Sequence, residues 1–255
     1  MTRLLKVQQT FSRAAKSYDR HALVQNFVAQ RLAKKIFNQG DFSLGDVLEI
    51  GCGTGILSQH LAAKATFYIL TDLSLTLLQK AEEKVQNAHV IPLVVDGEHP
   101  CFTASFDLIV SNLALHWFQD PKVALTRLTA CLKPGGRLYI TTLGNNSFHE
   151  WRTASSLVGA SSGVLDFITF GQLKNWLPLS GVRHVEEEWV TVKPADALEF
   201  LRSLKAMGGG VPHPGHRPLP YKIFKEVTDI YNQNPQVSCQ ILYGIYQRPE
   251  KMQEE

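Results

Sequence analysis

The chain has 255 residues, 44% of them hydrophobic and 19% charged, with a net charge of +3. Those proportions exclude a disordered or fibrous chain and fit one globular α/β domain with insertions. Its four cysteines (Cys52, Cys101, Cys131 and Cys239) form no C-x-x-C pair, which excludes a disulfide framework or a zinc pattern and points to a reducing, cytoplasmic setting.

No apolar stretch reaches the roughly 18–20 residues of a membrane span, so no membrane association is expected. The charge is unevenly spread. Residues 1–40 hold eight basic side chains against one acid, Asp19, a net of +7 that leaves the remainder at −4. Such a start reads as a transit peptide, as a solvated helix face, or as a docking surface for an acidic partner. Apolar positions at Val24, Phe27, Val28, Leu32 and Ile36 predict a helix over 7–38. Phe11, Ala14, Ala15, Tyr18 and Asp19 form a distinct aromatic, small and acidic cluster near its start. The pattern breaks from Gly40 to Gly45, where the core begins.

From there the chain alternates. A strand at 46–51 leads to a helix at 55–63, and a strand at 66–71 leads to Asp72 and a helix at 74–86. A strand at 89–95 ends at Asp96, and one at 106–111 ends at Asn112 before a helix at 120–131. The turn Lys133-Pro134-Gly135-Gly136 opens a strand at 137–143. This alternation predicts an α/β fold of parallel strands with right-handed crossovers and helices on both faces of the sheet. After residue 144 the pattern loosens into a helical stretch at 147–178, irregular from Ser161 to Thr169, then a strand at 182–193 and a helix at 195–206. A Pro/His/Gly-rich loop runs from Gly208 to Pro220 as a candidate lid, followed by a helix at 221–233 and a strand at 237–247.

The stretch Val47-Leu48-Glu49-Ile50-Gly51-Cys52-Gly53-Thr54-Gly55 is an apolar run ending in three alternate glycines. It reads as a buried strand turning sharply into a helix, with a backbone free to approach a ligand closely. The dinucleotide pattern G-x-G-x-x-G needs glycine at 56, where Ile56 stands, so the spacing points to an S-adenosylmethionine (SAM) pocket instead. Ligands in such sheets sit beyond the carboxyl ends of the strands, and Glu49, Asp72, Asp96 and Asn112 all fall there. Asp72, 21 residues after Gly51, suits the two ribose hydroxyls; its other reading is an N-cap for the next helix. Asp96-Gly97 suits the adenine amino group, the glycine making room for the ring, or is a plain turn. Glu49 bonds near the cofactor's amino group or orients the glycine loop. The cofactor-side set is Glu49, Gly51, Cys52, Gly53, Gly55, Asp72, Leu73, Asp96, Gly97, Asn112 and Leu113. His116 is either catalytic or part of the wall. No metal-ligand cluster stands out. No Asn/Asp-Pro-Pro-aromatic motif is present either, so nucleic-acid modification is not expected.

Residues 46–143 resemble the class I SAM-dependent methyltransferases, which implies a Rossmann-like seven-stranded sheet with its last strand antiparallel. A closer resemblance covers nearly the whole chain. Phe11-Ser12-Arg13-Ala14-Ala15-Lys16-Ser17-Tyr18-Asp19, His21-Ala22 and Gln25 resemble the opening of the malonyl-acyl-carrier-protein O-methyltransferases of biotin synthesis. So do Ser111 to Trp117, Leu132 to Gly136 and Thr141-Thr142-Leu143. Ser147 to Trp151 and Leu204 to Gly208 are looser matches. The chain departs from that family at His116, where glutamine is usual, and at Asp96-Gly97-Glu98, where Asp-Ala-Glu is usual. The resemblance implies SAM as cofactor, S-adenosylhomocysteine as product, and methylation of the free carboxylate of a malonyl group on acyl carrier protein. It implies one domain over 1–255: a helical cap at 1–40, a SAM-binding core at 41–145 and a substrate-side half at 146–255. Tyr18 would close over SAM or bond the acyl group, and Arg152 would capture the carboxylate; each also reads as an ordinary packed or solvated residue. Arg13, Lys16 and Arg20 would meet the acidic carrier. Methylation of another small carboxylate or a phenol is the alternative, and a non-catalytic SAM-binding module the third reading.

Overall fold

The computed structural model describes residues 2–38, 43–86, 89–213 and 215–250. The predicted break at Gly40 and the boundary between residues 40 and 41 lie outside the described residues, as does Pro214 of the candidate lid. The one helix expected over 7–38 is three: α1 (Arg3–Ala14), α2 (Tyr18–His21) and α3 (Leu23–Phe37). The first break has a local cause. Ser17 donates its N–H and its hydroxyl to the Ala14 carbonyl, at 2.9 and 3.2 Å, and the hydroxyl lies 3.0 Å from the Ala206 carbonyl. A short side chain bonded to nearby backbone offers the chain an alternative to helix.

The alternating core follows its predicted order: β1 (Gly45–Ile50), α4 (Ser58–Leu61), β2 (Ala65–Asp72), α5 (Leu75–Val85), β3 (Val90–Val94), β4 (Phe106–Ser111), α6 (Pro121–Ala130) and β5 (Leu132–Leu143). The chain ends with α7 (His149–Leu157), α8 (Phe170–Trp176), β6 (Val182–Val192), α9 (Ala197–Ala206), α10 (Tyr221–Tyr231) and β7 (Val237–Gln247). Two elements differ from expectation. The helix after β1 begins at Ser58 rather than 55, because Gly55 has φ +79°, outside the helical region. The Lys133–Gly136 turn lies inside β5, where Gly135 at φ +77° and a register shift between Phe106 and Leu108 of β4 absorb it as a bulge.

The strands form one seven-stranded sheet in the order β3-β2-β1-β4-β5-β7-β6. β1 pairs in parallel with β2 and β4, β2 with β3, and β4 with β5. β7 runs antiparallel to β5: Arg248 N–H donates to the Gly136 carbonyl near one end, and Gly144 N–H donates to the Gln240 carbonyl near the other. This is the class I methyltransferase sheet. Its strand order reverses between β1 and β4, and the crevice at such a switch point is where ligands bind.

By internal contacts the chain divides into two compact units. One comprises Gln25–Thr142, Phe170–Glu187 and Leu242–Glu255. Its core is the central strands, with Val47, Leu48, Leu70, Ile109, Val110 and Ile140 fully buried. Strands covered on both faces must be apolar throughout, which is why β1 and β4 read as continuous hydrophobic runs.

The other unit comprises Met1–Val24, Leu143–Thr169 and Glu188–Ile241. Aromatic rings form its centre. Phe200 stacks on Tyr231 at 5.7 Å and meets Trp151 and Phe148 at 5.8 and 5.9 Å. Trp151 donates its indole N–H to the Ser162 carbonyl at 3.0 Å, satisfying the one polar atom its burial would strand. Phe200 touches three other rings, so its truncation leaves a cavity that they cannot all close. Phe200→Ala is expected to cost about 3–5 kcal/mol, read as a lower urea midpoint at unchanged slope.

Candidate active site

At the carboxyl end of β1 the backbone turns through Gly51 and Gly53, both left-handed at φ +65° and +56°. A side chain at Gly51 would stand 2.6 Å from the Ala114 Cβ, so the loop and the segment after β4 are pressed together. At Gly53 a Cβ would meet nothing within 4 Å. Gly51 is therefore held by close packing, while Gly53 opens onto free space.

Two acids hold this loop. Glu49, 1% exposed, accepts from the Ser58 hydroxyl at 2.5 Å and the Tyr68 hydroxyl at 2.7 Å. It ties the base of the loop to α4 and β2, the second of its two sequence readings. Burial raises its pKa to about 7, against the lowering effect of those two hydrogen bonds. Asp72 accepts from Gly53 N–H at 3.0 Å and from Ser74 N–H at 2.8 Å, one on each oxygen. It does not cap α5. Ser74 does, its hydroxyl accepting from Leu77 N–H at 3.3 Å. Each oxygen of Asp72 keeps lone-pair capacity for a further donor. Burial raises its pKa to about 6, with the backbone bonds lowering it. Cys52 is buried beside them; its N–H donates to the Thr71 carbonyl at 2.9 Å, and burial pushes its thiol well up.

At the end of β3, Asp96 caps its own turn, accepting from Glu98 N–H at 3.0 Å and lying 2.9 Å from His99 Nδ1. The room at Gly97 is taken by protein: a Cβ there would stand 2.5 Å from Ile50 Cγ2 and 2.9 Å from Phe118 Cζ. That packing accounts for glycine at this position without a ligand ring. Sequence reasoning passed over Glu98, which is buried and accepts from the N–H groups of Gln119 and Asp120 at 2.7 and 2.8 Å. An acid two residues past a strand-end acid is the only local signal it carried.

Beyond β4, Asn112 donates through Nδ2 to the Gln25 carbonyl at 3.1 Å and accepts from the Thr141 hydroxyl at 3.0 Å. Leu113 sits at φ +52°, its N–H donating to Thr141 Oγ1 at 2.9 Å. A β-carbon at that φ is strained, and the Thr141 bond holds it there. His116 packs on Trp117, their rings 5.2 Å apart.

All eleven predicted cofactor-side residues thus lie in one unit, at the carboxyl ends of β1 to β4 or on the loops that follow them. Tyr18 and Arg152 lie in the other. Tyr18 packs 6.3 Å from Phe11, whose ring fills the space where Gly208, at φ +77°, lacks a side chain. Arg152 is committed to backbone: Nε donates to the Ser147 carbonyl at 3.2 Å and Nη2 to the Leu165 carbonyl at 2.7 Å, with the guanidinium 5.9 Å over Phe167. Burial lowers its pKa, partly offset by Asp166. No group of three or more metal-ligating side chains occurs among the described residues.

The residues present fit a nucleoside carrying an amino acid. An open glycine cradle, an acid with spare lone pairs one strand over and a polar strand end beyond β4 supply what such a ligand needs. Comparison with known proteins agrees. Residues 48–140 match the family model described as "Methyltransferase domain". A malonyl-acyl-carrier-protein O-methyltransferase from Magnetococcus marinus is 35% identical over 95% of this chain and 92% of its own. The biotin biosynthesis bifunctional protein BioCD of Bordetella avium is 34% identical over 95% of this chain and 52% of its own. In structure, the N-methyltransferase NodS of Bradyrhizobium japonicum, solved with S-adenosylhomocysteine, has a TM-score of 0.56 at 15% identity, covering 96% of this chain and all of that one. That likeness is one of fold.

Glu49 generates a pH test. Its folded pKa, near 7, lies above its ordinary 4.5, so the fold favours the protonated form. The stability this contributes is complete below pH 4.5 and is lost as pH rises to 7, about 3 kcal/mol in all. Urea midpoints of wild type and Glu49→Gln from pH 4.5 to 7.5 should therefore converge or cross as pH rises, the wild type losing more. Parallel curves would refute the assignment. Across nearly its full length, the chain belongs to the malonyl-acyl-carrier-protein O-methyltransferase family of class I methyltransferases.

Proposed function

We propose that this protein methylates the free carboxylate of a malonyl group carried on acyl carrier protein, with SAM as methyl donor, at an early step of biotin synthesis in the cytoplasm. The observation that carries this reading is full-length similarity to a relative of that name, beyond the 48–140 core shared by methyltransferases at large. No helix among the described residues is long and apolar enough to cross a membrane.

The chemistry asks little of the protein in proton transfer. A malonyl carboxyl group is ionised at neutral pH, like other carboxylates with pKa near 3–4. When bound, SAM supplies an electrophilic methyl on its sulfonium. The chain's own task is to hold one carboxylate oxygen in line with that methyl and to exclude water, so positioning dominates. We assign Asp72 to the ribose hydroxyls, with Leu73 beside it, and Asp96-Gly97 to the adenine end. The loop Gly51, Cys52, Gly53 and Gly55 lies under the methionyl part, with Glu49 holding it from below, and Asn112-Leu113 close the far side. Tyr18 and Arg152 are proposed for the acyl group. Arg152 already spends two donors on backbone, so the malonyl carboxylate would be met by Nη1. The reading takes the whole chain as one methyltransferase domain, residues 1–40 forming its cap and 146–255 its substrate-side half.

Labelled SAM offered with malonyl-carrier protein, malonyl-coenzyme A and acetyl-carrier protein tests this. Label should pass to the malonyl species alone. Transfer to a phenol or an unrelated carboxylate, with none to malonyl, would sink the proposal, and binding without any transfer would mark a non-catalytic module. In the same assay Arg152→Gln should raise KM for the malonyl acceptor and leave SAM affinity unchanged.

The acidic carrier needs a docking surface. Arg13, Lys16 and Arg20 on α1, α2 and the turn between them are exposed, and complementary charge speeds encounter more than it deepens affinity. Reversing the three charges should raise KM for the carrier-bound substrate several-fold, an effect that weakens with added salt, while KM for malonyl-coenzyme A stays constant. Equal losses on both substrates would refute docking at this surface.

A further inference from the structure

We infer that Gln25, on α3, binds the amino-acid end of the cofactor, its side-chain oxygen accepting a hydrogen bond from the α-ammonium group. This rests on the SAM pocket proposed above and adds a residue from outside the strand-end loops.

Among the described residues, Gln25 Oε1 is buried and has no hydrogen-bond partner. A buried acceptor left unpaired carries its full desolvation cost, so native structures keep very few, and one beside a ligand crevice calls for a donor. The main chain of Gln25 shows where the side chain is rooted. Its carbonyl accepts from Asn112 Nδ2 at 3.1 Å, which fastens the N-terminal part of α3 to the segment just past β4. The Gln25 side chain therefore starts at the β4 edge of the crevice.

The order of the strands says which part of the ligand reaches that edge. β3, β2, β1 and β4 are consecutive neighbours in the sheet. Adjacent strands lie about 4.8 Å apart, so the ends of β3 and β4 are separated by roughly 14 Å, about the length of an extended nucleoside with an amino-acid tail. With the base at Asp96 and the ribose at Asp72, the tail crosses the glycine loop and its far end arrives at β4. An α-ammonium there carries three N–H donors and no acceptor. Asn112 is partly committed, since Oδ1 already accepts from the Thr141 hydroxyl and Nδ2 donates to Gln25, which leaves its side chain one lone pair to offer. Gln25 Oε1 is an acceptor with no partner among the described residues and so has both lone pairs to offer. Sequence spacing could not reveal this, since 87 residues separate Gln25 from Asn112.

Isothermal titration with three ligands tests the assignment: S-adenosylhomocysteine, its analogue lacking the α-amino group, and 5′-methylthioadenosine, which lacks the amino-acid tail. Gln25→Ala should weaken S-adenosylhomocysteine by about tenfold or more, the usual scale for a hydrogen bond to a charged group, and leave the other two within twofold of wild type. Gln25→Glu keeps an acceptor at the site and should retain S-adenosylhomocysteine binding. The Asn112 bond uses the main-chain carbonyl, which both variants preserve. Equal weakening of all three ligands by Gln25→Ala, or no weakening of any, would overturn the role of Gln25. Wild-type protein that binds none of the three would overturn the pocket itself, a distinguishable failure.

Discussion

The cofactor-side architecture depends on one costly arrangement: a carboxylate, Glu49, buried at the end of the central strand. An ionised carboxylate in an apolar interior is tolerated only when hydrogen bonds compensate it or a proton neutralises it. Here both operate, through Ser58 and Tyr68 and through a pKa raised to about 7. In return the chain gains a fixed link between the strand that enters the loop, the helix that leaves it and the neighbouring strand. The glycine loop has almost no side chains with which to hold itself, so it is shaped from outside. Glu49 fixes it from beneath, Asp72 from the side through Gly53, and Ala114 by direct packing against Gly51.

Asp72 illustrates how one group serves structure while keeping capacity for the proposed ligand. Its two backbone bonds pin both oxygens in the crevice, and each oxygen still has capacity to accept from a hydroxyl. A preorganised acceptor loses little on binding, because its orientation is already set by folding. The same logic extends along the sheet edge. Asp96 is fixed by its own turn and Glu98 by the start of α6, while Asn112 and Leu113 are held through Thr141. These loops are fastened to rigid strands by side-chain bonds rather than by their own length.

The unit that contains Tyr18 and Arg152 is built differently. Its centre is a group of aromatic rings, and its polar links run between segments remote in sequence, as from Ser17 to Ala206 and from Glu150 to Ser238. Arg152 belongs to this framework as well as to the proposed acyl site. Its bonds to two backbone carbonyls immobilise the guanidinium, which suits a group meant to orient a carboxylate without pairing with it so tightly that its nucleophilicity is lost.

The sequence by itself determined the order of the core elements, the cofactor class and the family. Alternating apolar runs, a G-x-G-x-G turn and acids at strand ends are local patterns, and local patterns follow from backbone sterics and strand burial. It also put Asp72 at the end of its strand and the glycine loop after β1, where the structure has them, because such turns follow from local pattern. Only the tertiary structure decided what depends on partners far apart. It made Glu49 a buried brace and filled the room at Gly97 with Ile50 and Phe118. It also tied the main chain of Gln25 to Asn112 and left the buried side-chain oxygen of Gln25 without a partner among the described residues. Each of these outcomes is a contact between segments that only folding makes neighbours.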